Sequence, residues 1–206
     1  MSLIAKVCGI THNDDARMAL AAGADLIGFV RHPPSPRHCE DLESASAGIG
    51  MRGVLVAVGD DIEPMIQEAI AHGLGWVQPY LPAGARVDAL TRTRAAGLNL
   101  LLPWPDSPDQ PAVDADQYLW ETAPSQTGVH GGSGQTHAGK FPPPGPFLLA
   151  GGLDGDNVRD RIEASTQQQR KHCRGADAAS RLEASPGRKS IPKVQQFVST
   201  VHAIQL

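Results

Sequence analysis

The feature of this sequence that most limits its fold is a recurring unit in which a helical stretch ends at glycine and a short apolar run follows. Gly23, Gly73 and Gly97 each end such a stretch. Glycine is the expected residue just beyond a helix, because it adopts the left-handed conformation without the steric penalty of a Cβ atom. The runs that follow are continuously apolar, which is typical of strands covered by helices on both faces. The sequence therefore predicts an α/β protein with a parallel sheet.

The number of apolar runs defines the architecture further. Candidate strands lie at residues 3–8, 25–30, 53–58, 76–80, 98–102, 117–121, 147–150 and 176–179. Eight strands with intervening helices predict a (β/α)8 barrel, the TIM barrel, while an open doubly wound sheet is the alternative if the count is wrong. The intervals 103–115 and 123–146 are rich in Pro, Gly, Asp and Ser and have no helical period. We therefore expect shortened or missing outer helices after strands 5 and 6.

Two helices begin with recognisable capping residues. Asp60 and Asp61 are candidate N-caps of one helix, and Ser190 followed by Pro192 marks the start of the last. Ser and Asp accept hydrogen bonds from the first free N–H groups of a helix, and Pro suits its first turn. Apolar residues recur at helical spacing in both segments. Each helix is therefore expected to bury one apolar face, which in the last helix consists of Val194, Phe197, Val198 and Val201.

The composition limits the classes of protein to which this chain can belong. The 206 residues are 41% hydrophobic, which suits one globular domain over residues 1–206. Three widely spaced cysteines, without a C-x-x-C pair or a secretory leader, argue against a disulfide framework and for the cytoplasm. The apolar runs are far shorter than the roughly 18 residues of a membrane span. A net charge of -4 gives no general attraction to nucleic acid. The histidines show no H-x-x-x-H pair within a helix, so a metal site is not expected.

Chemistry in a β/α barrel collects where the strands end. Cys8 closes the first candidate strand, although a free Cys is also often only a small buried apolar residue. Glu121 closes the sixth, where burial can raise the pKa of a carboxyl and make it a general acid; a capping or solvated residue is the other interpretation. Arg37 follows the second strand, and its planar fork suits a carboxylate, although a loop Arg is commonly only solvated. Asp116 stands at the start of the sixth strand, which predicts a stabilising role.

Glycines and a serine follow the last three strands. Gly132 belongs to the glycine-rich loop after the sixth strand, Gly151 and Gly152 follow the seventh, and Ser180 follows the eighth. Phosphate sites in barrels are commonly built in this region from backbone N–H groups. A tight turn is the simpler explanation of a Gly-Gly pair, but its place directly after a strand favours a phosphate site.

Six segments together resemble a known family. They are KVCGIT at 6–11, AAGADLIGFV at 21–30, SPR at 35–37, GGSGQT at 131–136, FLLAGGL at 147–153 followed by Asn157 and Val158, and EASPG at 183–187. In order and spacing they resemble phosphoribosylanthranilate isomerase of tryptophan biosynthesis, along nearly the whole chain. That family is a (β/α)8 barrel, in agreement with the strand pattern.

The resemblance implies an Amadori rearrangement of N-(5-phosphoribosyl)anthranilate to 1-(2-carboxyphenylamino)-1-deoxyribulose 5-phosphate, without a metal or an organic cofactor. By that analogy the Cys8 thiolate is the general base and Glu121 the general acid. A thiolate base requires an electropositive setting, since a free Cys has a pKa of about 8.5. Arg37 then binds the anthranilate carboxylate and Asp177 orients the sugar. The groups that would hold the phosphate are Gly132, Gly151, Gly152 and Ser180, with Arg181 as an added cation or a space-filling replacement.

Several positions depart from the family pattern, including His137, which stands where the family has an aromatic residue. Glu121 stands where the family has Asp, Tyr80 where it has His, and Arg181 where it has Gly. These changes keep two alternatives open. One is a non-catalytic or re-purposed barrel relative that binds a phosphorylated sugar. The other is a different sugar-phosphate isomerase, which would retain Gly152 and Ser180 without needing Arg37. The expected partner is in each case a small phosphorylated molecule, and both a monomer and a homodimer fit the sequence.

Overall fold

The centre of the structure, a computed structural model that describes residues 2–105, 113–121 and 140–206, is a closed barrel of eight parallel strands in sequential order. The strands are β1 (Ile4–Cys8), β2 (Leu26–Arg31), β3 (Gly53–Val58), β4 (Trp76–Tyr80), β5 (Asn99–Pro105), β6 (Gln117–Glu121), β7 (Phe147–Leu149) and β8 (Cys173–Ala178). Pairing of β1 with β8 closes the barrel and sets Lys6 opposite Asp177. The predicted (β/α)8 barrel is confirmed, because an open sheet would leave β1 and β8 unpaired.

Helices cover the outside of the barrel. They are α1 (Asn13–Ala21), α2 (Leu42–Ser46), α3 (Glu63–Ala71), α4 (Ala89–Ala95), α5 (Val158–Glu163), α6 (Gln167–His172) and α7 (Ile191–His202). Between β8 and α7 the chain forms a small antiparallel hairpin, β9 (Glu183–Ser185) and β10 (Arg188–Lys189). The described helices are each too short or too polar to cross a membrane.

The three predicted helix ends are confirmed, but the predicted start of one helix was wrong. Gly23, Gly73 and Gly97 follow α1, α3 and α4 with φ of 97°, 64° and 75°, the left-handed conformation that their positions required. The N-cap of α3 is Ile62, so the expectation of an Asp60 or Asp61 cap was wrong. The Asp61 carboxylate still accepts the Glu63 N–H at 3.3 Å, but from one residue outside the cap.

The last helix follows the sequence expectation in its cap position and its buried face. Ser190 is the N-cap of α7, although its side chain makes no capping hydrogen bond. The apolar stripe on α7 is buried, as its spacing predicted. The intervals expected to lack helices after β5 and β6 fall largely on residues 106–112 and 122–139, outside the described residues. The described parts, 103–105, 113–115 and 140–146, contain no helix, and for the remainder the expectation stays a prediction.

Alternate residues of each strand are buried on opposite faces of the barrel wall. In β3, Val54 and Val56 pack inside the barrel, whereas Leu55 packs outside against the helices. Burial on both faces explains why the strands appear as continuous apolar runs in the sequence. Leu26, Leu101, Leu119 and Leu148 fill the interior together with the β3 side chains. Because the interior is filled, a ligand has room only at an end of the barrel.

Candidate active site

A cavity opens at the carboxyl ends of the strands and collects most of the residues predicted for the site. Seven of the nine line it: Cys8, Arg37, Gly151, Gly152, Asp177, Ser180 and Glu121. Gly132 lies outside the described residues. Arg181 does not line the cavity, because its guanidinium donates to Asp154 Oδ2 at 3.0 Å and is nearly half exposed. The tertiary structure therefore brings together residues from five of the strand ends, which are far apart in sequence.

Cys8 is buried at the end of β1, with its thiol at the cavity wall. Gly28 lies directly opposite it in the β1–β2 pair. A Cβ atom at position 28 would lie 2.6 Å from Cys8 Sγ, well inside van der Waals contact. The thiol can therefore occupy this place only because the neighbouring strand carries glycine.

Two buried lysines provide the positive charge that a thiolate at Cys8 needs. Lys6 is fully buried two residues before Cys8, on the same inner face of β1, and its Nζ donates to Asp177 Oδ1 at 2.6 Å. Burial raises the pKa of Cys8 above its ordinary 9.0, while Lys6 and Lys189 act in the opposite direction. The electropositive setting expected from the sequence is present, but burial outweighs it. In the free protein Cys8 is therefore a thiol at neutral pH.

Glu121 is buried at the end of β6, and its carboxyl is protonated at neutral pH. Burial raises its pKa from 4.5 to about 8, although a hydrogen bond from Tyr80 lowers it in part. Its Oε1 atom has no hydrogen-bond partner among the described residues. A buried neutral carboxyl with a free oxygen is the group that a general acid requires.

A short polar chain leads to Glu121 from β4. Gln78 Nε2 donates to Tyr80 Oη at 3.3 Å, and Tyr80 in turn bonds to Glu121. Burial, followed by the nearby Glu121, raises the pKa of Tyr80 well above 10, so this hydroxyl stays neutral. Tyr80 therefore supports the longer acid from the strand position where the family pattern has His.

Arg37 enters the cavity from the loop after β2. Gly9 has a φ of +76°, and a Cβ atom there would lie 2.6 Å from Arg37 Cδ, so the turn after β1 must be glycine for two reasons. The Arg37 guanidinium donates from Nε to Glu183 Oε1 at 2.8 Å and from Nη2 to Glu183 Oε2 at 3.1 Å. The side chain is thereby held in one orientation at the cavity wall.

The chain has close relatives among proteins of one activity. No family model matches it. A curated N-(5'-phosphoribosyl)anthranilate isomerase of Nitrobacter winogradskyi is 32% identical over 222 residues, covering 100% of this chain and 95% of the relative. The chain belongs to the N-(5'-phosphoribosyl)anthranilate isomerase family.

Solved structures of the isomerase family have the same fold. The TrpF crystal structure from Jonesia denitrificans superposes with a TM-score of 0.74 at 28% identity, covering 97% of each chain. A phosphoribosyl anthranilate isomerase in complex with reduced 1-(o-carboxyphenylamino)-1-deoxyribulose 5-phosphate gives a TM-score of 0.68 at 22% identity, covering 98% of this chain and 100% of that one. The likeness extends over nearly the whole length of this chain.

Sequence reasoning assigned no role to several polar residues at or behind this isomerase-family site: Lys6, Gln78, Glu183 and Lys189. Lys6 and Gln78 could have been found from the sequence, since each is a polar residue within an apolar strand. Residues two positions apart in a strand lie on the same face. That spacing places Lys6 beside Cys8 and Gln78 beside Tyr80. Glu183 and Lys189 had no such signal because they lie in a hairpin between the barrel and α7. Among the described residues, no cluster of three or more His, Cys, Asp or Glu side chains could hold a metal ion.

Proposed function

We propose that this chain catalyses the Amadori rearrangement of N-(5-phosphoribosyl)anthranilate to 1-(2-carboxyphenylamino)-1-deoxyribulose 5-phosphate, a step of tryptophan biosynthesis. One observation carries the proposal: a thiol, Cys8, and a buried neutral carboxyl, Glu121, line the same cavity. An isomerisation that moves a proton between oxygen and carbon needs one acid and one base at such a site. The names of the full-length relatives support the same reaction.

In the proposed mechanism, the Glu121 carboxyl donates its proton to the ribose ring oxygen. The C1′–O4′ bond breaks with its electron pair going to oxygen, and the anthranilate nitrogen lone pair forms the C=N bond of a protonated Schiff base. Because the pKa of Glu121 is about 8, most of the protein carries this proton at neutral pH. Glu121 can therefore act as an acid where an exposed carboxylate could not.

The thiolate form of Cys8, a minor fraction in the free protein, then removes the C2′ proton. The electrons of the C2′–H bond form a C1′=C2′ double bond, and those of the C=N bond return to nitrogen. The resulting enol tautomerises to the ketone of the product. Lys6 and Lys189 stabilise the thiolate through their charge, and Asp177 holds Lys6 in place at 2.6 Å. The two lysines thus offset part of the burial that disfavours the base.

Substrate binding uses the remaining residues of the cavity wall. We propose that Arg37 binds the anthranilate carboxylate and Asp177 orients the sugar. Gly151, Gly152 and Ser180 follow β7 and β8, where barrels commonly bind phosphate through backbone N–H groups. Gly132 and Arg181 remain sequence-based candidates for the same phosphate.

The direct test is an assay of the purified protein with freshly generated phosphoribosylanthranilate. We expect turnover, and we expect Cys8→Ala to lower kcat by about 10³-fold, since general bases contribute roughly 10²–10⁴-fold. Cys173→Ala is the matched control, because that buried thiol lies at the opposite end of the barrel. Turnover by Cys8→Ala at the wild-type rate would exclude the mechanism.

A non-catalytic barrel that binds a phosphorylated sugar is the second candidate function. The changes at Glu121 and Tyr80 favour it, because both lie at the proposed proton donor. Calorimetry with the reduced product analogue separates the two candidates. Binding without turnover would support the non-catalytic role, whereas binding with turnover supports the isomerase.

We further propose that the protein acts in the cytoplasm. Its three cysteines are all free and buried, which suits a reducing compartment. A monomer and a homodimer are both compatible with the site, since the described residues of one chain form the cavity wall. Light scattering of the purified protein measures the oligomeric state.

A further inference from the structure

Glu183 lies behind Arg37 and does not line the cavity. It begins the β9 strand of the hairpin, is buried, and accepts two hydrogen bonds from the Arg37 guanidinium, at 2.8 and 3.1 Å. Lys189, on the other strand of the hairpin, donates its Nζ to Glu183 Oε1 at 3.1 Å and to the Ala179 carbonyl at 3.0 Å. These contacts fix both carboxylate oxygens of Glu183 without any ligand.

The geometry decides which edge of Arg37 a ligand can use. A guanidinium has two edges that can bind a carboxylate with two parallel bonds, one formed by Nε and Nη2 and one formed by Nη1 and Nη2. Glu183 occupies the first edge. Among the described residues, the Nη1 atom donates no hydrogen bond, and Arg37 lines the cavity. The second edge is therefore the one available to a ligand carboxylate.

The charges explain why Glu183 does not cancel the attraction of Arg37 for an anion. A carboxylate paired with one guanidinium alone would leave a neutral pair. Lys189 adds a second cation, and its ammonium is fully buried against the same carboxylate. The cluster of Arg37, Glu183 and Lys189 therefore has a net charge of +1 at the cavity wall. A buried net charge attracts a ligand carboxylate more strongly than an exposed one would.

We propose that Glu183, itself held by Lys189, is a positioning residue that aligns the Nη1/Nη2 edge of Arg37 and makes the site selective for ligands with an aromatic ortho-carboxylate. This inference rests on the proposed function only for the identity of that carboxylate. Glu183 acts on the ligand through Arg37, whereas Lys189 also acts on the charge of Cys8. The comparison of ligands with and without the carboxylate isolates the effect of Glu183 on binding from any effect on proton transfer.

The test compares two ligands on Glu183→Gln. One is reduced 1-(2-carboxyphenylamino)-1-deoxyribulose 5-phosphate, and the other is the same compound without its carboxylate. We expect Glu183→Gln to weaken binding of the carboxylate ligand by about tenfold or more, because the lost alignment of Arg37 outweighs the added positive charge of the cluster. Binding of the second ligand should weaken by less than about twofold, as measured by calorimetry. KM should rise more than kcat falls. Equal weakening of both ligands would show a merely structural role and overturn the proposal.

Three further variants make the result specific. Glu183→Asp keeps the negative charge but moves it away from Arg37, so it should weaken binding of the carboxylate ligand selectively and by a smaller factor. It also replaces Glu183→Gln in the test if that variant does not fold. Glu163→Gln, at an exposed surface pair, is the matched control and should change neither affinity. In an Arg37→Lys background, Glu183→Gln should have little further effect, because the two residues act as one unit. Additive losses in that background would contradict the proposal.

The outcomes also separate this inference from the proposed function. If the wild-type protein binds the carboxylate ligand selectively but does not turn over phosphoribosylanthranilate, the isomerase activity fails and the role of Glu183 stands. If the protein turns over substrate and Glu183→Gln leaves ligand selectivity unchanged, the role of Glu183 fails and the activity stands.

Discussion

The two ends of the barrel use acidic side chains in opposite ways. At the amino end, Asp25 precedes β2 and accepts the Ala5 N–H at 2.8 Å, and Asp116 precedes β6 and accepts the Leu100 N–H at 2.8 Å. Asp25 also contacts the partly exposed His202, and Asp116 also pairs with the exposed Arg94. These carboxylates satisfy backbone donors near the starts of neighbouring strands, so they contribute to stability.

At the carboxyl end the acidic groups are buried beside other ionisable groups, and one is unsatisfied. Glu121 is neutral and has an oxygen without a partner, while Asp177 is buried against Lys6. Such an arrangement destabilises the fold, because burial of a charge or of an unpaired polar atom costs free energy. The contrast indicates that one end was shaped for stability and the other for chemistry.

The largest expected effect tests this contrast at Glu121. Glu121→Gln removes the acid but keeps the size of the side chain, so kcat should fall by about 10³-fold. The same change should stabilise the protein, because an amide needs no proton to remain neutral in a buried site. Activity and urea unfolding of the same preparation provide both readouts. Loss of activity together with loss of stability at pH 8 would contradict the assignment.

The stability gain in Glu121→Gln should depend on pH in a defined direction. The folded protein holds the Glu121 proton up to a pKa of about 8, whereas the unfolded chain releases it near 4.5. Between these values the folded state binds more protons, so the unfolding free energy of the wild type falls as pH rises, by up to about 1.4 kcal/mol per pH unit. The advantage of Glu121→Gln should therefore grow between about pH 5.5 and about pH 7.5. An advantage that is equal at both values would mean that the carboxyl is not buried in its neutral form.

The next effect tests the packing around the base. Gly28→Ala places a Cβ atom 2.6 Å from Cys8 Sγ, well inside van der Waals contact. The thiol must move, and a displacement of about 1 Å can cost on the order of 100-fold in rate. We expect a loss of kcat of that size. Gly84→Ala is the matched control, since a Cβ atom there meets nothing within 4 Å. Full activity in Gly28→Ala would show that the position of the thiol is not critical.

The smallest effect on activity is expected at the amino end. Asp116→Ala leaves the Leu100 N–H without its partner and removes the pair with Arg94, so the unfolding free energy should fall by about 1–2 kcal/mol. The value of kcat should stay within about twofold of the wild type, since distant sites are usually independent. Asp114→Ala, at an exposed position two residues away, is the control. A large loss of activity in Asp116→Ala would remove the contrast between the two ends.

Much of the fold was predictable, because local patterns report it directly. Three of the eight strand ranges, β3, β4 and β6, match their apolar runs to the residue, and the glycines after α1, α3 and α4 mark helix ends as expected. The raised pKa of Glu121 was also foreseen, since a carboxyl at the end of an apolar strand is buried once the strand is covered. One domain over residues 1–206 and the phosphate role of Gly132 stay predictions.

Some of the site could not be predicted, because its contacts join distant parts of the chain. Lys6 and Asp177 are 171 residues apart in sequence, and Arg37 and Glu183 are 146 apart. The contact between Arg181 and Asp154, at 3.0 Å, is a further example, since the two residues are 27 apart in sequence. Charge pairing of this kind depends on the three-dimensional neighbourhood, which no local pattern encodes.

The sequence by itself determined the barrel, the strand ends at which Cys8 and Glu121 lie, and the family. The barrel and its strand ends follow from short-range periodicity, since strand parity and helix ends are properties of adjacent residues. The family follows from the order and spacing of the six matching segments. Only the tertiary structure decided the protonation of Cys8 and the orientation of Arg37. Those properties are set by burial and by charges that approach within hydrogen-bonding distance only after β8 has closed the barrel against β1.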